Sequence, residues 1–225
     1  MVILEACKIR RSFNIGGTPS LALTEQSLAV QEGEFLVLTG PSGSGKSTLL
    51  NLLSGLDKPS HGEVRYRGQS LAAMSQEEIA RLRNLCFGFI FQTPHLLPDR
   101  TVVENVQLPF HYGPAETQAR IGERCLELLA YVGMADLASR YPDTLSGGEM
   151  QRVVFARALA RQPEIIFADE PTGSLDAGNS KRILELLKEQ TEKGRSVIMA
   201  THDADGIAYG TRVIRLEKIQ TGGRP

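Results

Sequence analysis

The sequence predicts an α/β domain built on a parallel sheet, with an antiparallel β portion ahead of it and a helical segment inserted into it. Three observations carry this. The apolar run Phe35–Thr39 passes directly into Gly40-Pro-Ser-Gly-Ser-Gly-Lys-Ser47 and then into leucine-rich helical spacing. Two further apolar runs, 164–170 and 196–201, end in Asp169-Glu170 and at His202-Asp203, as strands do when a buried parallel sheet presents polar residues at its carboxyl edge. Between 93 and 143 the apolar residues recur at helical rather than strand spacing.

The stretch 40–47 reads G-x-x-x-x-G-K-S between a strand and a helix, the setting of a phosphate-binding P-loop. Successive backbone N–H groups must turn inward around a polyphosphate, which glycine permits because it lacks a Cβ. Lys46 adds a point charge for the β- and γ-phosphates, and Ser47 places a hydroxyl on a bound Mg²⁺. The helix that begins at Lys46 and runs to about residue 54 aims its positive end at the anion. The competing reading is a flexible Gly/Ser loop. Composition alone produces this pattern in roughly one chain in a hundred of this length.

With 225 residues, 41% of them hydrophobic, the chain suits one large domain, or a core with a smaller helical lobe. Its 25 basic and 26 acidic residues leave a formal charge of -1, so no global field draws it to nucleic acid or to an anionic membrane. Cys7, Cys86 and Cys125 are odd in number and far apart, which fits buried thiols in a reducing compartment. An acid at position 5 interrupts what a signal peptide would need, and no apolar run approaches the ~20 residues of a membrane span. The expectation is a cytoplasmic protein that reaches a membrane only through a partner, with no tail long enough for a regulatory domain.

Taken in order, residues 2–13 and 21–30 read as two antiparallel strands joined by a hairpin at 14–19, ahead of the P-loop strand. Phe13 is either an aromatic that stacks on a nucleobase or an ordinary core residue, and this stretch does not separate the two. A turn at 57–62 leads to a short exposed strand at 63–67. Ser75 with Glu78 three residues on reads as a capping box for a small helix. Residues 86–91 form a buried strand that ends at Gln92, which either enters the ligand crevice or makes local loop hydrogen bonds. Helices are expected over 101–106 and 114–132, with prolines at 94, 98, 109 and 142 marking the joints.

A second phosphate-facing set follows. Leu145-Ser-Gly-Gly-Glu149 opens a helix to about residue 161, with Ser146 as N-cap and two glycines leaving the first N–H groups bare. Such a start holds an anion, or is simply a capped helix with a flexible entry. The pair Asp169-Glu170 weighs more: one carboxylate to hold Mg²⁺ and one to orient or deprotonate a water. A mere cap on the next turn is disfavoured, because uncompensated acids at a buried strand end are costly. Residues 171–176 turn into a helix over 179–193. His202 is placed to reach a γ-phosphate, whereas His61, His95 and His111 fall in turns or loops. Residues 212–216 and 218–220 finish as edge strands.

The P-loop, Gln92, 145–149, Asp169-Glu170, Ser174-Leu-Asp176 and His202 occur in the order and spacing of the ATP-binding-cassette ATPases, and the chain resembles that family over essentially its whole length. The resemblance implies a RecA-like core with an antiparallel β subdomain (1–92 and 162–225) and an inserted helical subdomain with the signature helix (93–161). It implies ATP and Mg²⁺ as ligands. Gly40, Pro41, Ser42, Gly43, Ser44, Gly45, Lys46, Ser47 and Thr48 would cradle the triphosphate, Phe13 would stack on the base, and Ser47, Gln92 and Asp169 would serve the metal. Glu170 would be the general base, with His202, Lys46 and Gln92 completing the catalytic set. Two copies would pack head to tail, so that Ser146, Gly147, Gly148, Glu149 and Asp176 act on the other copy's nucleotide. Glu149 stands where the family more often has glutamine, and Phe13 where it more often has tyrosine.

Residues 16–24, 51–57 and 96–106 are similar to the lipoprotein-releasing and macrolide-efflux (LolD/MacB) group. That likeness implies export or lipoprotein release, an integral membrane permease of the FtsX/MacB kind, and docking of the permease on 92–106. The rival classes are a non-transport cassette ATPase acting on DNA or ribosomes, and an ATP-holding partner of a cell-division membrane complex. Balanced charge and the want of long insertions count against the first, so no nucleic acid is expected; intact Glu170 and His202 count against an ATP-holding module without turnover.

Overall fold

The computed structural model describes residues 1–15, 18–113 and 116–218. Strands β1 (Val2–Ile15) and β2 (Thr18–Gln31) pair antiparallel, with Leu4 opposite Val30 and Phe13 opposite Ser20. The tip of their hairpin, residues 16 and 17, lies outside the described residues. β3 (Phe35–Thr39) leaves that sheet and feeds the loop before α1 (Lys46–Leu53). The chain then returns with β4 (His61–Tyr66) and β5 (Gln69–Ser70), giving a four-stranded sheet of order β2-β1-β4-β5. The strand expected at 63–67 therefore starts earlier, at His61, because β1 offers a partner as far as Arg10. It ends before Arg67, whose φ of 47° turns the chain.

Helix α2 (Gln76–Cys86) carries the expected capping box, with Ser75 and Glu78 each bonding the other's backbone N–H. Cys86 closes this helix instead of opening the next strand, β6 (Phe87–Phe91). Between β6 and the next strand lie α3 (Val102–Gln107), α4 (Gln118–Tyr131) and α5 (Gly147–Leu159). α4 is shorter than the helix expected from 114, and residues 114 and 115 lie outside the described set. His111 sits in a 3₁₀ turn, whereas His61, expected in a turn or loop, is the first residue of β4.

β7 (Ile165–Asp169), α6 (Ala177–Glu192), β8 (Ser196–Ala200), α7 (Ala204–Ala208) and β9 (Arg212–Arg215) complete the chain. α6 begins two residues before the expected 179, because the Asp176 side chain caps it. Lys218 belongs to no strand, and residues 219 and 220 of the expected last strand lie outside the described residues.

The second sheet is wholly parallel, of order β6-β7-β8-β3-β9, and β8 is buried along its full length. Successive side chains of such strands face opposite sides and must be apolar on both. Phe35 and Val37 face α3 to α6; Leu36 and Leu38 face the leucines of α1 and the antiparallel sheet. The register sets Phe91 beside Asp169 and Asp169 beside Ala200. Gln92, Glu170 and Thr201 therefore follow at one edge, next to Thr39 and the P-loop. Among the described residues, no helix is long and apolar enough to cross a membrane.

Candidate nucleotide-binding site

Loop 40–45 is built from conformations that a side chain would resist. Gly40, Gly43 and Gly45 have φ of 146°, 76° and 92°. A Cβ on Gly40 would lie 2.4 Å from the Leu216 carbonyl oxygen, and one on Gly45 would lie 2.7 Å from that of Ala22. Lys46 Nζ donates to the carbonyls of Gly40 at 2.9 Å and Pro41 at 3.3 Å, bridging the loop. Pro41, Ser42 and Gly43 are exposed along it, while Ser44 is buried and its hydroxyl has no partner. α1 starts from Gly45 with no side-chain cap and no acid in its first turn, and Thr48 is half-buried within that turn. Bare amides, a buried unpartnered hydroxyl and a lysine fit a polyphosphate.

Ser47 Oγ donates to Asp169 Oδ1 at 3.0 Å, so the end of β7 meets the start of α1. Burial pushes the Asp169 carboxyl above its ordinary value and the neighbouring Glu170 charge adds to this; the Ser47 hydrogen bond and Lys46 oppose it. A desolvated carboxylate beside a hydroxyl is a donor set that suits a hard divalent cation such as Mg²⁺.

Glu170 takes φ of 46°, an uncommon conformation for a residue with a side chain, held by its N–H bond to the Ala200 carbonyl at 2.9 Å. Its Oε1 lies 2.8 Å from His202 Nδ1 and its Oε2 accepts from the Thr201 hydroxyl at 3.3 Å. His202 is 73% exposed against 18% for Glu170, so the imidazole covers the carboxylate from the solvent side. Gln92 is exposed at the end of β6 and its amide lies against Gly173, where a Cβ would come within 2.9 Å of Nε2.

Sequence reasoning missed Gln151. Buried in α5, its amide donates to the Phe91 carbonyl at 2.9 Å and the Pro171 carbonyl at 3.0 Å, tying the residue before Gln92 to the residue after Glu170. Nothing in its local sequence signals this. Thr201 was missed too; besides meeting Glu170 it accepts from Asp203 N–H at 3.1 Å.

The residues 146–149 and 176 form a separate group. Ser146 caps α5 and Glu149 closes a capping box, its Oε2 accepting from both the Ser146 N–H and hydroxyl at 2.8 Å. These two bonds hold the Glu149 carboxyl below its ordinary value. Gly147 follows the cap, and Gly148 touches Asn179 so closely that a Cβ would lie 2.3 Å from Asn179 Cγ. Asp176 accepts from Asn179 N–H at 2.9 Å and side-chain amide at 2.7 Å, and Arg152 donates to Asn179 Oδ1 at 2.7 Å. Among the described residues, no hydrogen bond or ion pair joins this group to 40–48. Among the described residues the phosphate cradle at 40–48 and the capped, glycine-lined start of α5 are thus two separate groups.

Phe13 is 43% exposed, with the Arg11 guanidinium 4.4 Å above its ring. Arg11 is in turn clamped by both Asp57 oxygens at 2.8 and 2.9 Å. Because Arg11 pairs with Leu23, which lies against Gly45, the ring sits a short way along β1 from the P-loop.

Residues 23–173 match the family profile described as ABC transporter. An ABC transporter ATP-binding protein of Methanocaldococcus jannaschii is 44% identical over 214 residues, covering 95% of each chain. The macrolide export ATP-binding/permease protein MacB of Burkholderia pseudomallei is 43% identical over 215 residues, which is 95% of this chain but 33% of that one. This chain therefore spans about a third of the length of such a relative. Among solved structures, the ATP-binding cassette MJ0796, in a dimeric post-hydrolysis state bound to ADP and Pi, superposes with a TM-score of 0.90 at 37% identity, over 96% of this chain and 95% of that one.

Proposed function

The chain belongs to the ABC transporter family of ATPases, and on that footing we propose how its residues divide the work of an ATP-hydrolysing subunit that drives a separate membrane permease. Residues 40–48 hold the triphosphate through their N–H groups, Lys46 faces the β- and γ-phosphates, and Phe13 stacks on the base. Ser47 and Asp169, with Gln92 beside them, hold Mg²⁺, which when bound neutralises charge on the phosphate oxygens. Glu170 takes the proton of the attacking water, and His202 keeps that carboxylate oriented while presenting its other nitrogen to the γ-phosphate.

The observation that carries this reading is the division of the phosphate-facing residues into two groups that, among the described residues, no hydrogen bond or ion pair joins. A cradle with its catalytic carboxylate stands in one place, and a capped, glycine-lined helix start stands in another. Two copies packed head to tail would join them, Ser146, Gly147 and Gly148 of each meeting the nucleotide of the other, with Glu149 and Asp176 at the seam. ATP would then bridge the copies, and loss of the γ-phosphate would release them. Residues 93–161 would form the helical subdomain that carries the signature helix. Sizing of the Glu170→Gln protein with and without ATP tests this; a species that stays monomeric at saturating ATP overturns it.

The permease reading is supported by MacB, whose name joins ATP-binding and permease functions in one protein. We assign the partner to the FtsX/MacB kind, the work to export or lipoprotein release, and the location to the inner face of the membrane. Docking would use 92–106 and the adjoining groove beneath Leu56 and Tyr112. Co-purification from detergent-solubilised membranes tests it, and recovery with ribosomes or DNA instead overturns it.

A further inference from the structure

Phe13 lies where β1 has lost part of its support. β4 pairs with β1 only as far as Arg10, opposite His61, and on the other side the register with β2 shifts on both flanks of Arg11. A strand end held by one irregular ladder does not by itself fix the direction of an exposed ring. Side chains take over that task. The Ser60 hydroxyl accepts from the Ser12 N–H and donates to the Ser12 carbonyl, both at 3.2 Å, where the partner strand has ended.

Arg11 is the centre of this second support. Asp57 accepts from its Nε at 2.8 Å and from its Nη2 at 2.9 Å, and the pair is half-buried, at 22% and 30% side-chain exposure. Bidentate geometry and partial burial separate it from an idle surface ion pair, and a planar fork held at two points cannot swing as a lysine could. The Asp57 N–H donates in turn to the Asn51 carbonyl at 3.1 Å, and Asn51 belongs to α1, the helix that starts at the P-loop. The guanidinium stands 4.4 Å over the Phe13 ring centroid. One face of the ring is therefore covered by a cation, and an exposure of 43% leaves the rest of it open. Contacts thus run without a break from Phe13 through Arg11 and Asp57 to Asn51, from the aromatic to the phosphate-binding helix.

We propose that Arg11 is a positioning residue for the nucleotide: clamped by Asp57, it holds the Phe13 ring at a set distance from the P-loop with the free face presented to the base of ATP. This rests on the base-stacking role given to Phe13 above and adds the group on which that role depends. A ring already ordered before binding loses less freedom when the base stacks on it. Attraction between the guanidinium and the covered face keeps the ring from turning edge-on. Among the described residues, the side-chain partners of Arg11 include no residue of 40–48. Its effect therefore falls on affinity for a triphosphate that carries a base, and not on the hydrolytic step.

Arg11→Met and Asp57→Asn test this. The readouts are KM and kcat for ATP and, by competition, the inhibition constant of inorganic tripolyphosphate, which has the phosphates but no base. Both variants are expected to raise the KM for ATP about three- to tenfold, with kcat and the tripolyphosphate constant within about twofold of the parent. In a Phe13→Ala background the same substitutions should add nothing, because Arg11 acts through that ring. An unchanged or lowered KM overturns the proposal. So does a loss that persists without Phe13, or one that extends equally to tripolyphosphate, which marks a purely structural pair. If Phe13→Ala itself leaves the preference for ATP over tripolyphosphate unchanged, the stacking reading falls and the proposal with it. If Phe13→Ala weakens ATP binding while Arg11→Met and Asp57→Asn do not, the stacking reading stands and the proposal alone falls.

Discussion

His202 Nδ1 stands 2.8 Å from Glu170 Oε1, joining residues that follow two adjacent parallel strands. With the Thr201 hydroxyl on the other oxygen, Glu170 is gripped at both ends of its carboxylate. A proton acceptor so held has one orientation to offer a water, which makes the pair a direct experimental target.

Glu170→Gln keeps the shape and removes the base. Phosphate release is expected to fall by about 10²- to 10⁴-fold, while an ATP-stabilised dimer accumulates on sizing. His202→Ala loses a charge-assisted hydrogen bond worth about 1.5–3 kcal/mol. Its kcat should drop by about 10- to 100-fold with little change in KM. A Glu170→Gln protein with parental turnover would remove the residue from its role.

Ser146→Arg is expected to block the ATP dimer in the Glu170→Gln background while the monomer still titrates with nucleotide. Because Ser146 caps α5, Ser146→Ala is the control for folding; it should cost about 1 kcal/mol in denaturation. Dimerisation of the arginine variant at parental ATP concentrations would contradict the assignment.

Gln151→Leu leaves the Phe91 and Pro171 carbonyls without their donor. A loss of about 1–3 kcal/mol in urea unfolding is expected. kcat should fall more than ATP affinity, since the amide braces the segments bearing Gln92 and Glu170 and not the P-loop. Parallel loss of both would show that the bridge serves only the fold.

Gly45→Ala and Gly43→Ala separate contact from strain. Both positions have positive φ, but only at Gly45 does a Cβ meet a backbone oxygen, at 2.7 Å. Strain of about 1–3 kcal/mol applies to each, and the clash applies to Gly45 alone. Nucleotide titration should therefore show the larger loss at Gly45, and equal losses would dismiss the contact.

Glu78, Glu104 and Glu149 all accept from their own N-cap residues, and all three carboxyls are held below the ordinary value of 4.5. A depressed folded-state pKa means that the stabilisation is fully present above pH 4.5 and is lost as pH falls through the lowered value. Thermal unfolding should thus fall off on the acid side of 4.5. Glu149→Gln, whose amide oxygen does not titrate, should flatten part of that decline; an unchanged acid limb would show that its capping bonds contribute nothing.

Much of this was readable in the chain because its partners are close in sequence. The capping box at Ser75 and Glu78 spans three residues, and the continuous apolar runs at 35–39, 165–169 and 196–200 declare strands buried on both faces. Boundaries were less legible. Cys86 continues a helix and His61 opens a strand because neighbouring elements, rather than local propensity, decide where each stops. Gln151 was invisible, since an amide in mid-helix reads as solvent-facing until the carbonyls of Phe91 and Pro171, 60 and 20 residues away, close upon it.

By itself the sequence determined the phosphate loop, the strands that meet it and the acids at their ends, because spacing along one chain dictates those local geometries. Tertiary structure alone decided that Glu170 would be clasped by Thr201 and His202, that the Leu216 carbonyl would leave no room for a side chain at Gly40, and that Gln151 would bridge the Phe91 and Pro171 carbonyls. These contacts join segments brought together by sheet register and helix packing, and neither is written in any single stretch of residues.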